Sequence, residues 1–365
     1  MIKYLGSKKR LLPVLGDLFS RSGAETALDL FTGTTRVAQE MKRRGGHVTA
    51  VDLARYSKVF ADCWIATDRN EVDQKALSDA LAHLSSLKGV SGYFTETFCV
   101  QSRFFQPFNG KRVDAIRDVL ESDYSDSPLF PILLTSLILA TDRVDSTAGV
   151  QMAYIKKWAD RSFKELELRV PDLLENSGIS IQGDAVALAP DFPHVDYAYL
   201  DPPYNQHRYF SNYHIWETLV AWDRPEHYGV ACKRIDTRDD STKSRFNEKR
   251  NMPLAFESVV RTLDTDVMVI SYNDESWVGK DHLLSMCERF DEVRFLAFDS
   301  KRYVGAQIGI FNPSGEIVGE VSHLRNKEWV VVAGPRGVVK NMTDHVLTDD
   351  HGNVVPASGR QPKLF

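Results

Sequence analysis

The stretch that packs the most chemistry into the fewest residues is Tyr197–Tyr204, YAYLDPPY. An apolar strand runs straight into Asp201-Pro202-Pro203-Tyr204, which sets the tetrapeptide at that strand's carboxyl end. In open α/β sheets this edge is where ligands bind. Two consecutive prolines fix the backbone and remove two N–H donors, leaving carbonyls as unopposed acceptors. A carboxylate, a free carbonyl and an aromatic face together suit an exocyclic amine on a flat ring. Asp201 and the Pro202 carbonyl can each accept one N–H of such an amine, and Tyr204 can stack on the ring. These acceptors draw the nitrogen lone pair out of conjugation and aim it at an electrophile, so the chemistry is positioning and electrostatics. An isolated D-P-P reads as a turn capped by a strand-end aspartate. The apolar strand before it, the tyrosine after it and a glycine turn far upstream favour function.

That upstream turn is Asp29-Leu30-Phe31-Thr32-Gly33-Thr34-Thr35. Gly33 lets the backbone approach a bound molecule closely, and Asp29 ends a strand facing the same edge. Asp52 ends the next strand about 20 residues later, where an acid characteristically binds ribose hydroxyls. The G-x-G-x-x-G fingerprint is absent, which favours a nucleoside without phosphate over a dinucleotide. Alone, the segment reads equally as an ordinary βα turn; paired with Asp201 it reads as function.

The elements that must position these groups are visible in the patterning. Ala27–Phe31 is a short apolar run, Arg36–Arg44 is helical, Gly45-Gly46 stops the helix, and His47–Val51 is a second strand ending in Asp52. Strand, glycine turn, helix, strand opens a doubly wound α/β sheet. Residues from Ala54 to Val170 are mainly helical, with Pro131–Ala140 a buried helix. Strand signals return at 179–182, 197–200, 267–272, 293–298 and 307–311, then at 316–321 and 329–333. The expected organisation is a Rossmann-like α/β domain at 1–65 plus 179–312, a helical insertion at 66–178, a β-rich extension at 313–345 and a flexible tail at 346–365.

Composition narrows the class. The 365 residues, 43% hydrophobic and 26% charged, are those of an ordinary globular protein larger than one usual core. No run approaches the roughly 18 apolar residues of a membrane helix, and the basic N-terminus lacks the apolar stretch and cleavage site of a signal peptide. Cys63, Cys99, Cys232 and Cys287 show no metal or redox spacing and read as reduced. The expected location is the bacterial cytoplasm, at the nucleoid. A net charge of −5 weighs mildly against a nucleic-acid partner, yet basic clusters occur at Lys8-Lys9-Arg10, Lys42-Arg43-Arg44, Lys156-Lys157 and Lys233–Arg250.

The chain resembles the DNA N6-adenine methyltransferases of the α class, in which cofactor motifs precede target recognition and D-P-P-Y comes later, and in particular the methylases of type IIS restriction systems. The likeness rests on Lys3-Tyr4-Leu5-Gly6-Ser7-Lys8, DLFTGTTRVA (Asp29–Ala38), RFFQPFNGKRVDAIR (Arg103–Arg117), TAGVQMAYIKKW (Thr147–Trp158), NQHRYFSNYHIWET (Asn205–Thr218) and SYN (Ser271–Asn273), and covers roughly residues 1–312. It implies a Rossmann-like methyltransferase fold, S-adenosylmethionine as cofactor, and methyl transfer to N6 of an adenine flipped out of the duplex. It further implies that Tyr4, Gly6, Ser7 and Lys8 cover the methionine end of the cofactor. Asp29, Phe31, Gly33 and Thr34 would form its floor, Asp52 would hold the ribose, and Asp184 would contact the adenine side. Thr35 stands where many members carry a second glycine, which leaves the path of the cofactor loop open. Methyl transfer from a sulfonium needs no metal, and none is expected.

Double-stranded DNA is then the expected partner. Arg208, Tyr209 and Asn212 suit a phosphate and the flipped nucleotide. Lys233, Arg234, Arg238, Lys243, Arg245, Lys249 and Arg250 read as a phosphate clamp or as a solvated loop. In the helical target-recognition insertion, Arg103, Asn109, Lys111, Lys156 and Lys157 are candidate base readers. His207 and His214 have no third ligand in view and read as structural or DNA-contacting. The terminal Gln361-Pro362-Lys363-Leu364-Phe365 resembles a peptide that docks on the bacterial sliding clamp, and a cognate restriction endonuclease is a further expected partner. Methylation of cytosine N4 or of adenine in RNA is the alternative reaction, against which D-P-P-Y weighs. A catalytically silent DNA- or clamp-binding protein is the alternative of another class, against which the intact DPPY and the Asp29/Asp52 pair weigh.

Overall fold

The structure, a computed structural model, describes residues 1–152, 154, 157–204, 206, 208–301, 310–311, 317–319 and 325–354. The longer strands are β1 (Thr26–Asp29), β2 (His47–Asp52), β3 (Ile179–Gln182), β4 (Val195–Leu200), β5 (Thr265–Asn273), β6 (Glu292–Lys301) and β7 (Arg325–Gly334). The chain divides into two compact units. Unit 1 is Met1–Lys8, Phe31–Ala185 and His207–Ser244; unit 2 is Lys9–Leu30, Val186–Gln206 and Arg245–Phe365.

Unit 2 holds a sheet in the order β1–β4–β5–β7–β6. β1, β4 and β5 run parallel, and β7 lies antiparallel between β5 and β6. Strands covered on both faces read as continuous apolar runs, and Met268–Ile270 and Val330–Ala333 are fully buried. Helix Leu12–Ser22 begins with Pro13, whose missing N–H costs nothing in a first turn, and ends at Gly23 in left-handed backbone. Phe19 from this helix meets Tyr197 of β4 edge-on. This is the Rossmann-like α/β arrangement expected from the sequence.

The carboxyl-terminal expectation needs correction. Within the expected extension at 313–345, the described residues 325–345 do not stand apart: β7 is an interior strand of the sheet, and helix Arg336–Thr343 packs beside Leu12–Ser22, with Asn341 donating to the Arg21 carbonyl at 2.7 Å. Nor is the tail free from residue 346 onward. Ala297 of β6 donates to the Gly352 carbonyl and accepts from the Val354 N–H, and Asp349 caps the turn by accepting the His351 and Asn353 N–H groups. The expected strand at 307–311 is described only at Ile310–Phe311, which pairs with Ile317–Gly319.

Unit 1 contains the parallel pair β2–β3 and most of the helices. Helix Arg36–Arg43 follows the Gly33 turn, and helix Arg55–Ala61 runs into one π-turn, Asp62–Ala66. The buried Lys42 ammonium donates to the carbonyls of Trp64, Ile65 and Thr67 at 2.8–2.9 Å, satisfying groups that the end of this segment would otherwise orphan. Helices Pro107–Tyr124, Phe130–Arg143 and His214–Ala221 complete the packing. Arg117 donates to the carbonyls of Leu219 and Val220, capping the last of these. Asp114 accepts the N–H groups of Gly92, Phe94 and Thr95. The helical segment thus belongs to one unit with β2 and β3, and the units do not follow the expected boundaries at 66 and 178.

Candidate functional site

In unit 2 the parallel pairing of β1 with β4 sets Asp29 opposite Tyr199, two residues before Asp201. The Leu30 N–H donates to the Tyr199 carbonyl at 3.2 Å and holds the two strand ends in register. Asp29 is buried, as is Pro202; Asp201, Pro203 and Tyr204 are partly exposed. The Tyr204 ring meets Tyr272 of β5 edge-to-face, with centroids 5.9 Å apart and planes at 77°. Unit 2 therefore brings Asp29 and the whole DPPY group to one strand-end edge. Ser271–Asn273, singled out only as matching text, supplies the aromatic wall behind Tyr204.

In unit 1 a second cluster forms around Gly33. Its N–H donates to Asp52 Oδ2 at 2.8 Å, and Ala54 N–H donates to Oδ1 at 2.9 Å. Burial raises the Asp52 pKa, opposed by these backbone bonds and by one from Leu53. A carboxylate offers about four acceptor directions, so Asp52 keeps capacity for a sugar hydroxyl. Gly33 holds left-handed backbone, φ 51, directly beneath Tyr4: a Cβ here would lie 3.0 Å from the Tyr4 hydroxyl. Tyr4 stacks on Tyr213 at 4.9 Å and on Tyr209 at 5.3 Å, with Tyr56 edge-on at 6.5 Å. The Leu5 N–H donates to the Tyr213 hydroxyl at 2.7 Å, and Lys3 pairs with Asp142 at 2.9 Å and Asp145 at 3.3 Å. The N-terminal segment is thereby strapped across the turn that Asp52 holds. Lys8 and Thr34 are buried, Gly6 and Phe31 half-buried, and Ser7 and Asp184 exposed. Thr35 adopts φ 60 and gives its hydroxyl to the Gln39 amide as acceptor at 2.8 Å. It holds a conformation in which glycine is favoured and a β-branched residue is unusual.

The DNA-facing expectations divide. Lys157 and Arg245 are exposed, Arg208 and Lys233 half-buried, and Lys243 is ion-paired with Asp240. Lys156 and His207, with Gln361–Phe365, lie outside the described residues. Arg234 is not a clamp residue: it is 2% exposed, and its guanidinium is held by Asp223 at 2.6 Å and Asp236 at 2.7 Å. Asn212 is 4% exposed and so is absent from the outer surface; its carbonyl accepts the Gln151 N–H. Tyr209 stacks in the tyrosine cluster rather than standing clear. Asn109 is no base reader, because its buried amide donates to the Lys164 carbonyl and accepts the Leu166 N–H. Arg103 lies over the Trp158 ring, and Lys111 is exposed. His214 is fully buried, bonded to the Gln151 carbonyl, and burial pushes its pKa down to about 3, so it is a neutral structural residue. The four cysteines are buried and unbridged.

The sequence alone assigns no role to Tyr56, Tyr213 or Tyr272, which the structure places in these clusters. Tyr209 and Tyr213, four residues apart, share one helical face, a signal the sequence did carry.

A family model described as D12 class N6 adenine-specific DNA methyltransferase matches residues 4–286. The modification methylase StsI of Streptococcus sanguinis is 28% identical over 307 residues, which are 79% of this chain and 46% of that protein. The type II methyltransferase M.NlaIII of Neisseria lactamica is 27% identical over 344 residues, 90% of this chain and 100% of its own length. The type II methyltransferase M.FokI of Planomicrobium okeanokoites is 26% identical over 305 residues, 78% of this chain and 46% of that protein. The chain thus spans less than half of two of these relatives and the whole of the third.

Proposed function

The chain belongs to the D12 class of N6 adenine-specific DNA methyltransferases, and we propose that it methylates N6 of an adenine turned out of duplex DNA, with S-adenosylmethionine as donor. The observation that carries this reading is the DPPY tetrapeptide at the end of β4, beside Asp29 at the end of β1. Asp201 and the Pro202 carbonyl each accept one N–H of the adenine amine, and Tyr204 stacks on the base. The nitrogen lone pair is left free of ring conjugation and oriented for in-line attack. Unit 1 carries the groups for the donor. Tyr4, Gly6, Ser7 and Lys8 cover its methionine end, Phe31, Gly33 and Thr34 form its floor, Asp52 holds the ribose hydroxyls, and Asp184 borders the adenine. When bound, S-adenosylmethionine supplies an electrophilic methyl group on a sulfonium.

Arg208, Lys233, Lys243, Arg245 and Lys157 remain the candidates for phosphate contact, sequence-independent and salt-sensitive. A cognate restriction endonuclease belongs to this reading by the names of the relatives. Docking of Gln361–Phe365 on a sliding clamp is a separate proposal, lost if a tail peptide fails to bind purified clamp. Among the described residues no helix is long and apolar enough to cross a membrane; residence at the bacterial nucleoid follows from the proposed substrate. The test is transfer from labelled cofactor to unmethylated genomic DNA, followed by nucleoside mass analysis. N6-methyladenine supports the reading. N4-methylcytosine would overturn the target base, and product on RNA alone would overturn the substrate.

A further inference from the structure

We propose that Asp145 is a positioning residue serving two segments at once, the amino-terminal strap that covers the cofactor and the loop that carries Lys157, an inference that rests on the function proposed above. Asp145 follows helix Phe130–Arg143 by two residues and is 2% exposed. Its Oδ1 takes the Lys3 ammonium at 3.3 Å and the Arg161 guanidinium at 2.8 Å, and its Oδ2 accepts the Thr147 hydroxyl at 2.6 Å. A buried carboxylate requires such partners, because leaving it unpaired is strongly unfavourable. Three points of the chain, at residues 3, 147 and 161, are thereby drawn to one side chain.

On the cofactor side, the Lys3 ammonium is shared between Asp145 and Asp142, which it meets at 2.9 Å. It fixes the residue just before Tyr4, whose hydroxyl would lie 3.0 Å from a Cβ on Gly33. Tyr4 is held by its stacking on Tyr209 and Tyr213 as well, so Lys3 sets where the strap enters and does not carry it alone. On the DNA side, the Thr147 hydroxyl itself accepts the Gly149 N–H at 3.1 Å, and the Thr147 carbonyl accepts a bond from Arg161 at 2.5 Å. Gly149 holds left-handed backbone, φ 102, at this turn. The neighbouring Ser146 hydroxyl accepts the Ala159 N–H at 3.1 Å. The two ends of the stretch 147–161 are thus closed on Asp145, with the exposed Lys157 between them. An amide in its place would carry no charge for either cation and would turn one acceptor into a donor.

The test uses the full chain with labelled S-adenosylmethionine and unmethylated genomic DNA, and reads KM for each separately from the rate at saturation of both. Lys3→Met should raise KM for the cofactor about three- to tenfold, the worth of one hydrogen bond, and leave KM for DNA as it is, with Lys3→Arg restoring the wild-type value. Thr147→Val keeps the shape of this buried side chain and adds no charge; it should raise KM for DNA by a similar factor and leave KM for the cofactor as it is. Asp145→Asn should raise both, and Lys3→Met added to it should raise KM for the cofactor by less than Lys3→Met does alone. If Asp145→Asn does not fold, the opposite effects of Lys3→Met and Thr147→Val carry the test. Wild-type KM values in folded Asp145→Asn would overturn the inference, as would both constants raised alike by Lys3→Met and by Thr147→Val. A wild-type enzyme that makes no N6-methyladenine would instead remove the proposed function on which the inference stands.

Discussion

Replacing Gly33 with alanine should destabilise the protein more than the same replacement at Gly23, although both hold left-handed backbone, φ 51 and 72. An L-residue in that region costs about 1–2 kcal/mol, and the lost flexibility of the unfolded chain returns about 0.4–1 kcal/mol. Both contributions apply to both sites and cancel in the comparison. What differs is the space. At Gly23 an added methyl meets nothing within 4 Å, whereas at Gly33 it meets Tyr4 Oη at 3.0 Å, Cε1 at 3.2 Å and Cζ at 3.3 Å. Carbon contacts are optimal near about 3.5–4.0 Å, so Tyr4 would have to move. It is held by stacking on Tyr209 and Tyr213 and by the bonds of Lys3 and Leu5 on either side. Overpacking against a held side chain costs roughly 1–3 kcal/mol, and this is the expected excess of Gly33→Ala over Gly23→Ala. Urea unfolding of both variants, at unchanged m-value, measures it directly. Equal losses at the two sites would refute the close approach of Tyr4 to the Gly33 turn.

Four further substitutions have outcomes that the structure sets. Glu217 is fully buried, accepts the Arg55 N–H at 3.0 Å, and has its pKa pushed by burial from 4.5 up to about 7. Across that window the folded chain keeps a proton that the unfolded chain has released, so stability falls as pH rises, by roughly 3 kcal/mol. Glu217→Gln should flatten that fall when Tm is followed against pH. Arg234→Gln should cost about 1.5–3 kcal/mol by removing the bonds of a buried guanidinium to Asp223 and Asp236, without altering the salt dependence of DNA binding. Arg245→Gln should do the reverse, with stability kept and the log–log salt slope reduced by about 1. Tyr213→Phe keeps the ring but removes the acceptor of the Leu5 N–H, and should raise KM for the cofactor about fivefold, the worth of one hydrogen bond.

The parts of this molecule that were legible in the sequence are those fixed by short-range spacing. The strand ending at Asp29, the glycine turn, helix Arg36–Arg43 and the strand ending at Asp52 follow from apolar period and turn chemistry over a few residues. The DPPY group falls at a strand end for the same reason. What stayed hidden depends on partners distant in the chain. The run 329–333 reads as a strand, but nothing local says that it lies between β5 and β6 rather than in an appended domain. Asn109 and Arg234 are polar residues in polar surroundings, and only the folded chain shows them buried with their bonds already made. Tyr4 and Tyr56 meet across more than fifty residues, which no periodicity encodes. Thr35 carries its own lesson: a departure from the family's glycine kept the backbone conformation that glycine would favour.

If DPPY holds the acceptor amine, Asp201→Ala removes one of its two acceptors. Labelled methyl transfer to unmethylated DNA should be measured with this variant and the wild type, alongside binding of S-adenosylmethionine to each. The wild type should make N6-methyladenine and Asp201→Ala should not, with cofactor affinity little changed between them. N6-methyladenine made by Asp201→Ala at the wild-type rate would contradict it.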